Sequence, residues 1–491
     1  MVNLQLDLFP LDTDVISLEL AHSLKEEVEG TPSTLITTCA RSILKLQDVV
    51  GPIPRIQALG NLGEEVLKKC LNLSVDEYLA SNSNHHQASS QEAGPVTGGD
   101  VAALMLIDRK CDMVTPMVTP LTYEGLLDQV VGIDCGFLKL NVSTINPPDE
   151  HDETKKQEQE DDELVMLGIN ASDTLYAEVR DQHVEKFGSF LQHQAMALKE
   201  SHANFTDKGT KKNLTEIHQF VKQIPIFTQN LRSLTNHIHL AELVKRTTEE
   251  FAFREQWQTE RSMIEGESCY DMLDEWVSSG MPPFQFLRLL CLQSLCAGGI
   301  KSSRYDMFKS LVVQAYGYDF LLVLHDLEKV GLIRRRETFF DSASSFSTLR
   351  RNLVLINAEV DTVDPDDVSY VSSGYAPLTV RLVQSAVQGW AGKEDIIKEL
   401  QGGRVHDIQQ QIPPQDLPTA MKQRPVGSLG DLAKKNMGNK KPTLIVFYLG
   451  GVTYMEIAAL RFLSKRKTFP YHLIIITTKV LNGSTLLQTL G

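Results

Sequence analysis

From Val101 to Val131 the chain reads VAALMLIDRKCDMVTPMVTPLTYEGLLDQVV, and its apolar and polar positions spell out three elements. Val101 to Ile107 is a continuous apolar run, too short for an ordinary helix and closed by charge at Asp108-Arg109. Such a run suits an interior parallel strand, buried on both faces. Two Thr-Pro steps follow, and each proline pushes the residue before it out of the helical region. A helix restarts near Leu121, where Tyr123, Leu126, Leu127 and Val130 form one apolar stripe. Asp108, Arg109 and Asp112 then fall at the strand's carboxyl end, where paired side chains would fix the turn.

The same patterning orders the rest of the chain. Leu4, Leu6 and Leu8 alternate with polar residues as a strand, ended by Pro10. Ile36, Cys39, Ile43 and Leu46 have helical spacing before the breaker Gly51-Pro52-Ile53-Pro54, and a second helix runs near Asn61 to Leu71. From Ser172 to about Arg336 helical periodicity dominates. Tyr176, Val179, Val184, Phe187 and Leu191 line one helix; Leu214, Ile217, Phe220, Val221 and Ile224 line another, which Pro225 should stop or kink. Phe227, Leu231, Leu234, Ile238 and Leu240 continue beyond it, so the pair predicts a hairpin with a lysine-rich tip at 208–212. Phe284 to Leu295 is apolar nearly all round and must be core. Tyr316 to Val330 predicts one helix, capped by Gly331.

Strand character returns after Leu349. Leu353 to Ile356 is a short apolar run, Pro377 opens a helix, and Gly402 to Lys441 predicts a long loop. The chain ends on a β-α-β unit: strand Leu444 to Leu449, turn Gly450-Gly451, helix Thr453 to Leu463 and strand Leu473 to Ile476. Thr453 and Glu456 have capping-box spacing. Strands near both ends flank a helical middle. The fold class is therefore α/β, a discontinuous parallel-sheet domain with a large inserted all-helical domain. The expected segments are 1–143 and 346–491 for the α/β domain, 144–171 for an acidic disordered loop, 172–250 for the hairpin and 251–345 for a second helical subdomain.

Charge changes the picture in one place. The formal net charge is −15, and Asp149 to Glu163 carries nine acids against two lysines with no apolar residue. That composition predicts a disordered loop, and the overall sign argues against a general nucleic-acid binder. Seven cysteines without a C-x-x-C pair fit scattered thiols in a reducing compartment. No apolar run approaches a membrane span and MVNLQLDLFP is no signal peptide, so the expected location is cytoplasmic.

Catalytic and cofactor motifs do not emerge. There is no G-x-x-x-x-G-K-[ST], G-x-S-x-G or H-E-x-x-H, and Gly450-Gly451 lacks the remaining glycine of a dinucleotide fingerprint. His237 and His239 lie on different helix faces, and His85-His86 sits in a polar loop, so neither pair predicts a metal site. Asp108, Asp112 and Glu124 are the one conceivable acid/base set. The residues imply no catalytic site, cofactor or metal.

LIDRKCDMVTPMVTPLTYEGLLDQ closely resembles the core segment of the SM (Sec/Munc) family, cytosolic proteins that bind SNAREs and promote membrane fusion. LTYEGLLD is most similar to the vacuolar-sorting branch, whose members are the SM subunit of the HOPS and CORVET tethering complexes. Further matches are QIPIFTQNLRSLTNHIHLAEL, RLLCLQSLCAGGIK, SGYAPLTVRL and FYLGGVTYMEIAALRFL. The resemblance implies SNARE and solenoid-subunit partners, and peripheral placement on late endosomes and the lysosome or vacuole through those partners. It also implies a first α/β domain ahead of Leu4 that this chain is expected to lack; a purely structural tethering subunit is the alternative that follows. The SNARE surface would be the hairpin, through Phe220, Pro225, Phe227, Leu231, Leu234 and Leu240, with Pro225 as a hinge. The solenoid subunit would dock at Lys309, Tyr316, Tyr318 and Leu321, on an expected helix from Lys309 to Leu327.

Overall fold

The computed structural model describes residues 7–83, 101–141, 164–206, 214–336, 345–390, 392–400, 404–409 and 441–490. Leu4 and Leu6, His85-His86, the acidic run Asp149 to Glu163, the lysine tip and most of Gly402 to Lys441 lie outside these residues. The chain forms two compact units. One comprises Met1–Val118, Gln258–Ala358 and Gly374–Gly491, the other Thr119–Trp257 and Glu359–Ser373.

The first unit is built on a seven-stranded sheet: β1 (Phe9–Pro10), β2 (Val15–Ser17), β3 (Arg55–Leu59), β4 (Val101–Asp108), β5 (Val405–Gln409), β6 (Thr443–Leu449) and β7 (His472–Thr477). The order is β1-β2-β7-β6-β4-β3-β5. β2, β7, β6, β4 and β3 run parallel, with an antiparallel strand at each edge. β4 and β6 meet from Thr443 beside Val101 to Leu449 beside Asp108, so distant stretches of the chain make one α/β sheet with helices from the intervening sequence. Their unbroken apolar runs are buried, as interior parallel strands require. Pro10 sits on the edge, where its missing N–H costs no ladder bond.

Two strands differ from the sequence expectation. β3 carries Arg55 and Gln57 and lacks a plain apolar pattern, yet all five of its residues are buried. β5 falls inside the stretch expected to be loop. The two account for each other: Arg55 Nε donates to Asp407 Oδ1 at 2.8 Å and Gln57 Nε2 to Asp407 Oδ2 at 3.1 Å across the antiparallel pair. Polar side chains on the edge strand and its neighbour satisfy one another, which single-strand periodicity cannot register.

The helices Ser33–Val50, Asn61–Ser83, Pro283–Ala297 and Tyr454–Lys465 follow the apolar spacing. The expected helix from Tyr316 to Val330 does not form as one piece. Ser302–Tyr316 ends at Gly317, whose φ of 99° is open to glycine and costly for other residues, and Phe320–Val330 begins afresh. Gly331 caps that second helix in the left-handed region, as expected. Leu353 to Ile356 contributes a single bridge, Ile356 to Tyr375, rather than a strand.

The second unit holds the helices Tyr123–Val130, Thr174–Val179, Val184–Thr206 and Leu214–Glu249. It also has an antiparallel sheet of Ile133–Asp134, Phe137–Asn141 and Leu164–Gly168, absent from the sequence reading. The last of these strands follows directly on the acidic run, where apolar residues resume. Tyr123, Leu127, Leu138, Tyr176, Phe187 and Val244 centre its core. Pro225 does not stop its helix. Leu214–Glu249 is continuous over 36 residues with Pro225 inside it, about 54 Å at 1.5 Å per residue. No helix among the described residues is long and apolar enough to cross a membrane.

Candidate functional site

In an open parallel sheet, chemistry is first sought at the carboxyl ends of the strands. There β4 delivers Asp108, Arg109 and Asp112, and the turn after β6 delivers Thr453 and Glu456 at a helix start. The cluster is closed rather than open. Arg109 Nη1 donates to both oxygens of Glu456 at 2.8 and 2.9 Å, and its Nε donates to the Asp112 carbonyl at 2.8 Å. Asp112 accepts from the backbone N–H groups of Val114 and Thr115 and from the Thr115 hydroxyl. Glu456 accepts from the Thr379 hydroxyl and, as the expected capping box, from the Thr453 backbone. Asp108 accepts from the N–H groups of Leu62 and Lys110.

Sterics seal the same place. A Cβ at Gly60 would lie 2.4 Å from the Asp108 Cβ, and one at Gly450 would lie 2.8 Å from the Arg109 Cβ. Burial alone would lower the Arg109 pKa, but Glu456 and then Asp112 outweigh it and hold the guanidinium above its ordinary value. Burial raises Asp108 and Asp112 above the usual carboxylate range. Glu124, third in the conceivable acid/base set, lies in the helical unit and accepts from the Tyr176 hydroxyl at 2.5 Å. These groups are buried and bonded to one another or to neighbouring backbone, and they fix turns.

The hairpin is the opposite case. Val184–Thr206 and Leu214–Glu249 pack together, and the longer helix is tied down through its second half. His237 stacks on Tyr176 with ring centroids 5.7 Å apart, meets the Tyr123 hydroxyl through Nδ1 at 3.0 Å and approaches Asp173 through Nε2 at 3.4 Å. Asp173 also caps Thr174–Val179, accepting from the N–H groups of Leu175 and Tyr176. Although burial pushes its carboxyl up, bonds from His237 and Ser233 dominate together and hold it at about 2.

Along that helix Ile224, Phe227, Leu231, Leu234, Ile238 and Ala241 recur at alternating steps of three and four, the seam of a heptad repeat. The seam changes character part-way. Leu234 and Ala241 are buried in the core, whereas Ile224 is 44% exposed and Leu231 46%. Ile226 beside them is 60% exposed, and Phe227 is half-buried. A cleft of about 320 Å³ opens where the seam enters the core, lined by Leu198, Ala197 and Gln194 of one helix and Asn230, Ser233 and Leu234 of the other.

Of the expected hairpin residues, Leu231, Pro225 and Phe227 therefore reach the surface, while Leu234 and Leu240 hold the helix in its unit. The Phe220 side chain lies outside those described. Ile226, absent from the expected set, adds exposed area, and Ile224, expected to line the helix before Pro225, belongs to the same seam.

The other expected surface spans Ser302–Tyr316 and Phe320–Val330 of the α/β unit. Lys309, Tyr316 and Leu321 are half-buried, and the Tyr316 hydroxyl donates to the Met281 carbonyl at 2.6 Å. Tyr318, in the break between the helices, is 79% exposed and Leu322 is 72% exposed.

A family model described as the Sec1 family matches residues 1–489. The vacuolar protein-sorting-associated protein 33 homolog of Arabidopsis thaliana is 33% identical over 485 residues, which is 98% of this chain and 75% of that protein. Vacuolar protein sorting-associated protein 33A of Rattus norvegicus is 33% identical over 494 residues, 99% of this chain and 76% of its own length. The fold is shared with the Unc18–syntaxin 1 complex from Monosiga brevicollis, at a TM-score of 0.62, 14% identity, and coverage of 98% of this chain and 76% of that one. It is also shared with Sly1p in complex with an N-terminal peptide of Sed5p, at 0.62 and 13% identity over 99% of this chain and 73% of that one.

Proposed function

The chain belongs to the Sec1 (SM) family, and from that premise we propose that it binds SNAREs in vacuolar protein sorting, using the exposed part of the hairpin seam. Its similar relatives are vacuolar protein sorting-associated proteins 33, and structures of its fold are complexes with syntaxin 1 and with a Sed5p peptide. The observation that carries the hairpin assignment is the seam itself, which packs as core at Leu234 and Ala241 and continues into solvent at Leu231 and Ile224. An amphipathic helix with heptad spacing can extend that packing by seating its own apolar stripe there. SNARE motifs are such helices.

The filled cluster around Arg109 supports a binding protein rather than an enzyme. Tyr318 and Leu322 support a second, separate docking point for the solenoid subunit of a HOPS- or CORVET-type tethering complex, since exposed aromatic anchors carry much of an interface. Membrane association would then be peripheral and indirect, on late endosomes and the lysosome or vacuole.

The test is calorimetric titration of a vesicle-side SNARE motif into the parent and into the Ile224→Asp/Leu231→Asp double variant. The variant is expected to bind at least about tenfold more weakly with an unchanged melting transition. Equal affinity would remove the hairpin as the site. Tyr318→Asp in turn should keep SNARE binding and lose co-purification with the solenoid subunit; retained co-purification would remove that docking point.

A further inference from the structure

The small sheet of the helical unit ends on Leu164–Gly168, which pairs with Phe137–Asn141 on one side and, among the described residues, with no strand on the other. The Ile169 N–H bonds the Gly136 carbonyl at 2.9 Å, which fixes the phase of the ladder. Alternation in an antiparallel pair then turns the N–H and C=O groups of Val165 and Leu167 inward and those of Leu164, Met166 and Gly168 outward, onto the free edge. On the core face, Leu138 and Leu140 are buried with Leu167 against them. On the solvent face, Leu164 is 63% exposed, Met166 59% and Phe137 44%.

Solvent-facing edge strands are ordinarily guarded by a lysine, a proline or a bulge that discourages pairing. Leu-Val-Met-Leu-Gly has no such residue, and its pairing register is unbroken. We propose that this edge is a docking site for an extended, basic segment of a partner protein, which adds to the sheet as a fourth strand. Strand addition would satisfy the outward backbone groups, and alternate apolar residues of the incoming segment would cover Leu164 and Met166. The basic character follows from charge. The strand is covalently continuous with Asp149 to Glu163, nine acids against two lysines, and the chain carries a net −15. A second copy would bring the same −15 to the contact and be repelled. The site lies outside the hairpin seam and does not depend on the SNARE reading.

The probe is a dye-labelled peptide of alternating lysine and valine, followed by fluorescence anisotropy on the full chain. Saturable binding is expected. A glutamate–valine peptide of equal length, and a lysine–valine peptide N-methylated at alternate residues, should each bind at least about tenfold more weakly. The first loss reports charge and the second reports backbone pairing. Met166→Pro removes an outward N–H, and Met166→Lys installs the absent guard without altering the backbone; both should weaken the peptide with the melting transition retained. Equal binding of plain and N-methylated peptides, or full affinity in Met166→Lys, would overturn strand addition. A concentration-dependent dimer in sedimentation that Met166→Lys abolishes would overturn the basic partner in favour of a second copy.

Discussion

The carboxyl end of β4 and the middle of the Leu214–Glu249 helix invert what each residue type ordinarily does. Arg109, Asp112 and Glu456 are charged and lie at 0–2% exposure, whereas Ile224, Ile226 and Leu231 are apolar and face solvent. Burying unpaired charge is costly, so the first region is permitted only because every partner is present. Exposing a heptad seam is costly too, and it persists where a partner completes the packing. In this fold, charge at the strand ends acts as a staple, and packing is left unfinished on the exposed half of the hairpin seam.

The largest effect should come from breaking the staple. Arg109→Met leaves Glu456 and Asp112 buried without their cation, and the loss of one partner from a buried set typically costs about 3–5 kcal/mol. Urea unfolding monitored by circular dichroism should show the midpoint fall accordingly. A variant with unchanged stability would mean the cluster is dispensable to the fold, and an unrecognised chemical role would have to be reopened.

The second effect concerns a charge kept out rather than in. His183 in the helical unit is 1% exposed, with Nε2 at 2.9 Å from the Ser373 hydroxyl and Nδ1 accepting from the Glu185 N–H. Burial depresses its pKa from 6.5 to about 4, against a smaller opposing influence of Glu185. Above pH ~6.5 the ring is neutral whether folded or unfolded, so it adds no pH dependence. As pH falls from ~6.5 to ~4 the unfolded chain takes up the proton and the folded one does not, so stability declines by up to about 3 kcal/mol. Urea midpoints at a series of pH values should fall through that window for the parent and fall less steeply for His183→Gln. Parallel slopes would show that the ring is not held neutral.

Both regions were partly legible in the sequence, for different reasons. β4, β6, β7 and the Thr453 cap were plain because buried parallel strands and capping boxes depend on neighbours in sequence. β3 and β5 were hidden because Arg55 and Asp407 are polar until they meet across the sheet. Pro225 misled because local propensity favours a break, while Leu234, Leu240 and Val244 anchor the same helix in its core. Gly317 misled in the other direction, splitting an apolar run that looked continuous. The site residues were legible as a stripe but not as a surface. Spacing places Ile224 and Leu234 in one seam, and only tertiary packing, with Phe187, Leu191 and Leu198 in the cluster that covers Leu234, separates the two.

That boundary gives the most discriminating comparison, and its exposed side, Leu231, the smallest effect on stability. Leu231 and Leu234 are three residues apart in one seam, the first 46% exposed and the second 5%. Leu234→Ala removes methyl groups from a packed core and opens a cavity, a change that typically costs about 2–5 kcal/mol. Leu231→Ala removes the same atoms from a solvated position, where surface substitutions usually stay within about 0.5 kcal/mol. The two variants should therefore separate in denaturant midpoint while sharing side-chain chemistry and helix propensity. They should also separate in the opposite order on binding: Leu231→Ala weakens the SNARE motif at nearly full stability, and Leu234→Ala loses stability first. If Leu231→Ala instead costs as much as Leu234→Ala, the exposed half of the seam is packed in solution, and the surface proposed for the partner helix is already occupied by the protein itself.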